Sequence, residues 1–230
     1  MSEAFLAALR SLHIVAGGVA LATFWIPWLV KKGGRVHRRA GWVYTLAMAF
    51  VSASALTSCI WRNLDASPDN DQYAQFLGLI GLLSAASLSY GLRALRATRA
   101  QRRSFWDLGM ALLLFAAGAL CAVVGIAHRR PLWCIFGAGC ALGGFTQLRF
   151  WLRPAVTRAE RVLQHMTGMG TSCITTVTAF LVVNIENLGL RAYSFWVWVL
   201  PGLLGGVALS FASKRRQRAL VVAQPQSPAP

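Results

Sequence analysis

Four histidines, His13, His37, His128 and His165, together with a few acids and arginines inside long apolar stretches, are the side chains of this 230-residue sequence best able to do chemistry. An ionisable group within an apolar run long enough to cross lipid is costly to desolvate, so it either pairs with another group or works. Imidazole is the one side chain whose unperturbed charge change falls near physiological pH, and it is also a metal ligand. Proton binding, ligand binding and haem ligation are therefore the chemistries to weigh. Paired across two faces, His13 with His128 and His37 with His165, the four would make bis-histidine sites of the kind that hold haem b in transmembrane cytochromes. No other cofactor is expected: no two histidines share a helix at i, i+4, so zinc is the poorer fit.

Other polar groups gather around these histidines. Arg10 and His13 share a face of the first apolar run, and Glu186 ends the sixth run at the matching level. A buried guanidinium needs an anion, so an Arg10–Glu186 bridge is expected. His37, Gly41 and Tyr44 recur at i, i+4 and i+7 on one face of the second run. Asp107, one turn into the fourth, lies at the depth of His37 and His165, where a carboxylate can hold a histidine or an arginine. Along the sixth run Ser172, Thr176 and Glu186 fall within about 60° of His165 at 100° per residue. Such a helix packs at the bundle centre, its hydroxyls bonded back to i−4 carbonyls, or lines a small wet cavity. No nucleophile elbow or paired base is present, so a stand-alone enzyme is not expected.

The elements that must position these groups are set by lipid. With 56% apolar and 13% charged residues and a mean hydropathy of +0.52, the chain is not composed as a soluble domain. Runs suited to crossing about 30 Å of hydrocarbon fall at 5–30, 40–61, 74–97, 105–127, 131–152, 162–186 and 194–213. The class expected is all-α, a polytopic transmembrane bundle of about seven helices over 1–213, followed by a basic and then Pro/Gln-rich disordered cytoplasmic tail at 214–230. The first run continues to Val30, too long for a signal-peptide core, and is expected to remain as a helix.

Charge sets the orientation. Segments 31–39, 93–103, 149–161 and 214–218 hold eighteen Lys/Arg and the remainder of the chain five, which places the N-terminus outside and the C-terminus in the cytoplasm. All nine tryptophans sit near run ends, where an indole finds the headgroup level. The pI near 11.3 then reflects cytoplasmic anchoring to anionic headgroups rather than nucleic acid, for which no motif is present. The third helix is expected to extend past the bilayer as a stripe of Arg93, Arg96, Arg99, Arg102 and Arg103. The DASPDND loop reads as a solvated outer connection. Cys59, Cys121, Cys134, Cys140 and Cys173 lack CxxC spacing and read as buried, reduced core residues. Gly139–Gly143 and Gly202–Gly206, with Gly118–Ala122 and Gly168–Ser172, are the small-residue motifs available for helix contacts, within the bundle or with a second copy or partner subunit. Pro201 is expected to kink the seventh helix, whereas Pro27 sits too near the end of the first to matter much.

Leu12-His13, Gly17-Gly18, Lys32-Gly33, His37-Arg38, Gly41 and Tyr44 resemble the opening of the bacterial membrane proteins grouped as domain of unknown function 2306. The resemblance covers about the first 50 residues and is joined further on by His165-Met166. It implies an integral protein of a bacterial cytoplasmic membrane and directs attention to His13, His37 and His165 without supplying a substrate. A small carrier, sensor or accessory subunit with a polar interior is the function expected, and a haem-binding redox protein is the alternative. The topology has a direct check. A reporter fused after Ser213 should be active only in the cytoplasm, and one inserted near Pro68 only outside; both on one side would mean the spans are miscounted by one.

Overall fold

The computed structural model describes residues 3–64, 71–97 and 104–222, and among these it is helical, with no strand. Eight α-helices follow in order: α1 (Glu3–Thr23), α2 (Ile26–Leu29), α3 (Arg35–Leu64), α4 (Asp71–Ala94), α5 (Phe105–Ala127), α6 (Pro131–Leu152), α7 (Arg158–Val183) and α8 (Ser194–Val222), the last preceded by a 3-10 turn at Arg191–Tyr193. With α1 and α2 counted together, seven spans are long and apolar enough to cross a membrane, which marks a multi-pass membrane protein.

Several boundaries depart from the sequence expectation for identifiable reasons. Pro27 does matter. It cannot donate to the carbonyl four residues back and its ring crowds that carbonyl, so the first span breaks at Phe24–Trp25 and restarts as α2. Gly33 then takes the left-handed conformation, φ 76°, that turns the chain back into α3. The third span does not project as an arginine stripe: α4 ends at Ala94, and Ala97 is buried in a cluster with Phe150 and Trp151. Arg99, Arg102 and Arg103 lie outside the described residues, as does most of the DASPDND loop. α7 starts at a capping box, where Thr157 and Glu160 satisfy each other's backbone donors, and stops at Val183, leaving Glu186 beyond the helix. α8 runs unbroken through Pro201 and on through the basic run to Val222, so the first part of the expected tail is helix.

α1, α3, α4 and α7 close a ring, with α3 on α1 and α4, and α7 on α4 and α1. α5 and α6 form a tight antiparallel pair against α4, and α8 lies on α7. α4 is the pivot, with 67% of its apolar window buried against 6% for the first span. The α5–α6 pair is glycine-packed: a Cβ on Gly125 would stand 2.7 Å from the Cys134 nitrogen, and Gly118, Gly137 and Gly144 likewise face backbone. Gly118–Ala122 is thus part of a real contact. Gly139, Gly202 and Gly206 face open space and Gly143 only reaches the Leu114 side chain, so both GxxxG motifs are off the interfaces; Gly205, one residue over, packs on Ile174 of α7. All five cysteines are free, and Cys121, Cys140 and Cys173 are buried.

Asp107 is 5% exposed and pairs with Arg93, which donates from Nε to Oδ1 and from Nη2 to Oδ2, the latter at 3.0 Å. Of the two partners expected for this carboxylate, the arginine is the one it meets. The Arg93 side chain remains 38% exposed. Removing the arginine strands a buried charge, whereas neutralising the acid leaves a solvated cation. Arg93→Ala should therefore cost about 3 kcal/mol and Asp107→Asn about 1 kcal/mol. Thermal unfolding in detergent tests the order, and an Asp107→Asn loss equal to or above that of Arg93→Ala would refute this account of the pair.

Candidate functional site

The interior of the α1–α3–α4–α7 ring is polar along its length. Its centre is Tyr44, 1% exposed, whose hydroxyl lies 2.8 Å from the Ser172 hydroxyl and 3.2 Å from that of Thr176. Tyr44 comes from α3 and the two hydroxyls from α7, so the bonds span the ring diagonally. Thr176 also bonds back to the Ser172 carbonyl at 2.8 Å and touches Met48 Sδ at 3.2 Å. Of the two arrangements expected for this helix, packing at the bundle centre with i−4 back-bonding or lining a small wet cavity, the back-bonded packing is the one seen around Thr176. Ala20, Phe24, Leu88 and Cys173 pack around this cluster.

At the end where α3 and α7 begin, His37 and His165 converge, with ring centroids 6.5 Å apart at an angle of 63°. His165 Nδ1 lies 2.8 Å from the Gly91 carbonyl oxygen and His37 Nδ1 3.3 Å from that of Pro27. A carbonyl only accepts, so each Nδ1 carries the proton and each Nε2 is left with its lone pair. The Pro27 carbonyl is available because α2 ends within two residues, leaving it without a helical donor; Lys32 Nζ bonds the same oxygen at 2.7 Å. Lys32 Nζ also lies over the Trp28 ring, 5.9 Å from its centroid, and partial burial lowers its pKa. The break at Pro27 and the turn at Gly33 are therefore what hold His37 in place.

His165 is placed by the closest helix crossing in the ring. A Cβ on Gly168 would lie 2.6 Å from Gly91 Cα, and one on Gly91 would lie 2.8 Å from the Met169 nitrogen. With backbones in contact, the Gly91 carbonyl reaches His165 and the neighbouring Tyr90 hydroxyl donates to Gln164 Oε1 at 2.7 Å. Consecutive residues of α4 thus fix consecutive residues of α7.

Toward the other end, His13 Nδ1 lies 2.7 Å from the Ser54 hydroxyl, which in turn donates to the Val51 carbonyl at 2.9 Å. The serine proton being committed, His13 donates from Nδ1. Between these groups, on α3 and α4, Ser52 and Ser84 are 2% and 4% exposed and their hydroxyls have no partner.

Two expected pairings do not form. Glu186 lies outside α7 and bonds Arg191 at 2.9 Å, with both side chains exposed, so the Arg10–Glu186 bridge is replaced by a surface pair. Arg10 itself is exposed on α1. His128 is exposed at the end of α5, which packs on α6 and α4 and not on α1, so His13 and His128 do not meet. No cluster of three or more histidines, cysteines and acids stands ready for a metal among the described residues. The sequence reading did not anticipate Ser54, Pro27, Gly91 or Met48. Gly91 and Pro27 carried a usable signal, a small residue and a helix breaker near a histidine, but carbonyl acceptors are not written in side chains.

Comparison with known proteins adds no assignment: no family model, no curated protein and no solved structure matches this chain.

If the Gly91–Gly168 crossing positions His165, Gly168→Ala should force the helices apart and cost about 1–3 kcal/mol. Gly139→Ala, in open space, should be neutral or stabilising by up to about 1 kcal/mol. Unfolding of the two variants side by side is the check, and equal stabilities would show that the crossing is loose.

Proposed function

We propose that the protein acts through this polar seam. It is a multi-pass protein of a bacterial cytoplasmic membrane, N-terminus outside and C-terminus inside, in which α1, α3 and α7 enclose imidazole and hydroxyl groups that take up and pass on protons. That is the working part of a small carrier, sensor or accessory subunit rather than of a stand-alone enzyme. The observation that carries the reading is the convergence of His37 and His165 from two helices, each with Nδ1 tied to a carbonyl and Nε2 open. Imidazoles held in that way can take up and release a proton at Nε2 without changing their anchoring bonds. Tyr44 and Ser172 follow about two turns further along their helices and Thr176 about three, and Ser54 with His13 lies beyond them. Hydroxyls relay protons because each both donates and accepts. Membership of the domain of unknown function 2306 is part of this proposal. His13, Lys32, His37 and Tyr44, which carry the resemblance, line or brace the same seam.

The same anchoring favours a second reading. Ligating histidines characteristically donate their other nitrogen to a carbonyl or carboxylate, and His37 and His165 fit that pattern. They would hold one haem b, which would supply one-electron transfer; the second pair expected, His13 with His128, is not assembled.

One set of samples distinguishes the readings. In the proton-relay case the purified protein is colourless, its thermal stability differs between about pH 5.5 and 7.5, and His37→Gln/His165→Gln removes that difference. In the haem case a Soret band appears and either substitution abolishes it. A colourless protein with a pH-independent stability shared by the double variant would defeat both.

A further inference from the structure

Away from the histidine seam, a cavity of about 190 Å³ opens between the end of α6 and the start of α7, lined by Thr146, Arg149, Phe150, Arg153 and Gln164. We propose that it is a binding site for a phosphate-bearing monoanion, the headgroup of an anionic lipid or a free phosphate. The site is distinct from the polar seam and does not depend on its function.

The donors decide the sign of the ligand. Arg149 has no carboxylate partner among the described residues; its guanidinium rests over the Phe145 ring, 5.9 Å from the centroid, which leaves its N–H edge free. Arg153 caps α6 and gives one nitrogen, Nη1, to Glu160 Oε1 at 2.8 Å, while the other oxygen of Glu160 is taken by Thr157. Its remaining donors are uncommitted. The Gln164 carbonyl oxygen is occupied by the Tyr90 hydroxyl, so the amide NH2 is the group it offers to the cavity. No carboxylate lines the space. With Glu160 offsetting one of the two guanidiniums, the net charge suits one negative charge, that of a phosphodiester. Forked N–H donors match phosphate oxygens.

Arg149 and Arg153 are exposed, and the wall they stand against is built. Tyr90, which orients Gln164, is itself wedged edge-on against Phe150 and Trp151 at 5.5 and 5.8 Å. One turn before Gln164, Arg161 holds a buried Nε with no partner, a third guanidinium at this end of the bundle. The volume is below the roughly 300–1,000 Å³ of sites for drug-sized ligands, so a headgroup fits and a larger metabolite does not. Phe150 gives an apolar wall on which glycerol carbons can lie. The Thr146 hydroxyl donates to the Gly143 carbonyl at 2.8 Å, which leaves its lone pairs to accept from a ligand hydroxyl.

The experiment uses the full chain purified in a neutral detergent, with thermal unfolding followed during titration of phosphatidylglycerol, phosphatidylcholine or inorganic phosphate. Phosphatidylglycerol should raise the melting temperature and phosphatidylcholine should not, and the Arg149→Gln/Arg153→Gln variant should weaken the apparent affinity at least tenfold. Protection by inorganic phosphate as well, lost in the same variant, would make the ligand a soluble anion at the same site. Because Arg153 also braces Glu160, Arg149→Gln alone serves as the second variant; it should retain the unliganded melting temperature and still weaken binding. No selective protection by either anion, or undiminished protection in Arg149→Gln and in the double variant, would overturn the proposal.

Discussion

Gly91 and Gly168 let the backbones of α4 and α7 meet with no side chain between them. Within lipid there is no hydrophobic gain to pull helices together, so a contact of this kind depends on close packing and on the hydrogen bonds it makes possible. Here it makes two, Tyr90 to Gln164 and the Gly91 carbonyl to His165, on adjacent residues of each helix. Both polar systems of the molecule lean on that pair. His165 leads into the seam toward Tyr44 and Ser172, while Gln164 turns toward Arg149 and Arg153. Adjacent helical residues point about 100° apart, so a single crossing can serve two sites without merging them.

The seam itself is arranged so that polar groups are satisfied mainly by carbonyls and hydroxyls and not by charge. The one strongly buried acid among the described residues, Asp107, is taken up by Arg93 in the last turn of α4 and plays no part in it. Glu186, placed on the polar face of α7 by helical arithmetic, escapes because the helix ends first. What remains inside is neutral at its anchors: three imidazoles with donating Nδ1, a tyrosine, and serines and threonines. Such an interior costs little to keep in lipid while each donor has its acceptor, and the two unpartnered hydroxyls, Ser52 and Ser84, mark where it is incomplete.

The spans were legible because lipid thickness and the cost of a bare backbone leave a long apolar run few alternatives; the edges at 105, 127, 131 and 152 fall where the sequence places them. Tyr44, Ser172 and Thr176 were legible too, since period and polarity together put them on inward faces. Partners were harder, because a contact depends on rotation about the helix axis, which composition does not fix. A GxxxG motif at 139–143 faces outward while Gly137 and Gly144, which flank it, face α5. The Arg10–Glu186 pairing failed for a different reason: matching depth was read as proximity, and the last turn of α7 was counted as helix. The Pro27 break went unread because its consequence, a freed carbonyl, appears only when His37 folds back over it.

These restraints are unequal. α7 is pinned to α4 by backbone contact and two hydrogen bonds, and an axial shift of one against the other would break both together. α3 is joined to α7 through Tyr44 and to α4 through the close approach of Gly78 and Gly81. α1 is the weakest wall. It is largely exposed, its packing on α7 is slight, and its polar tie to the ring is His13 to Ser54. It also ends in a break at Phe24–Trp25 followed by the short α2, whose Pro27 carbonyl is bonded to His37. α1 is therefore the wall of the ring held least, and the α4–α7 crossing is the part held most firmly.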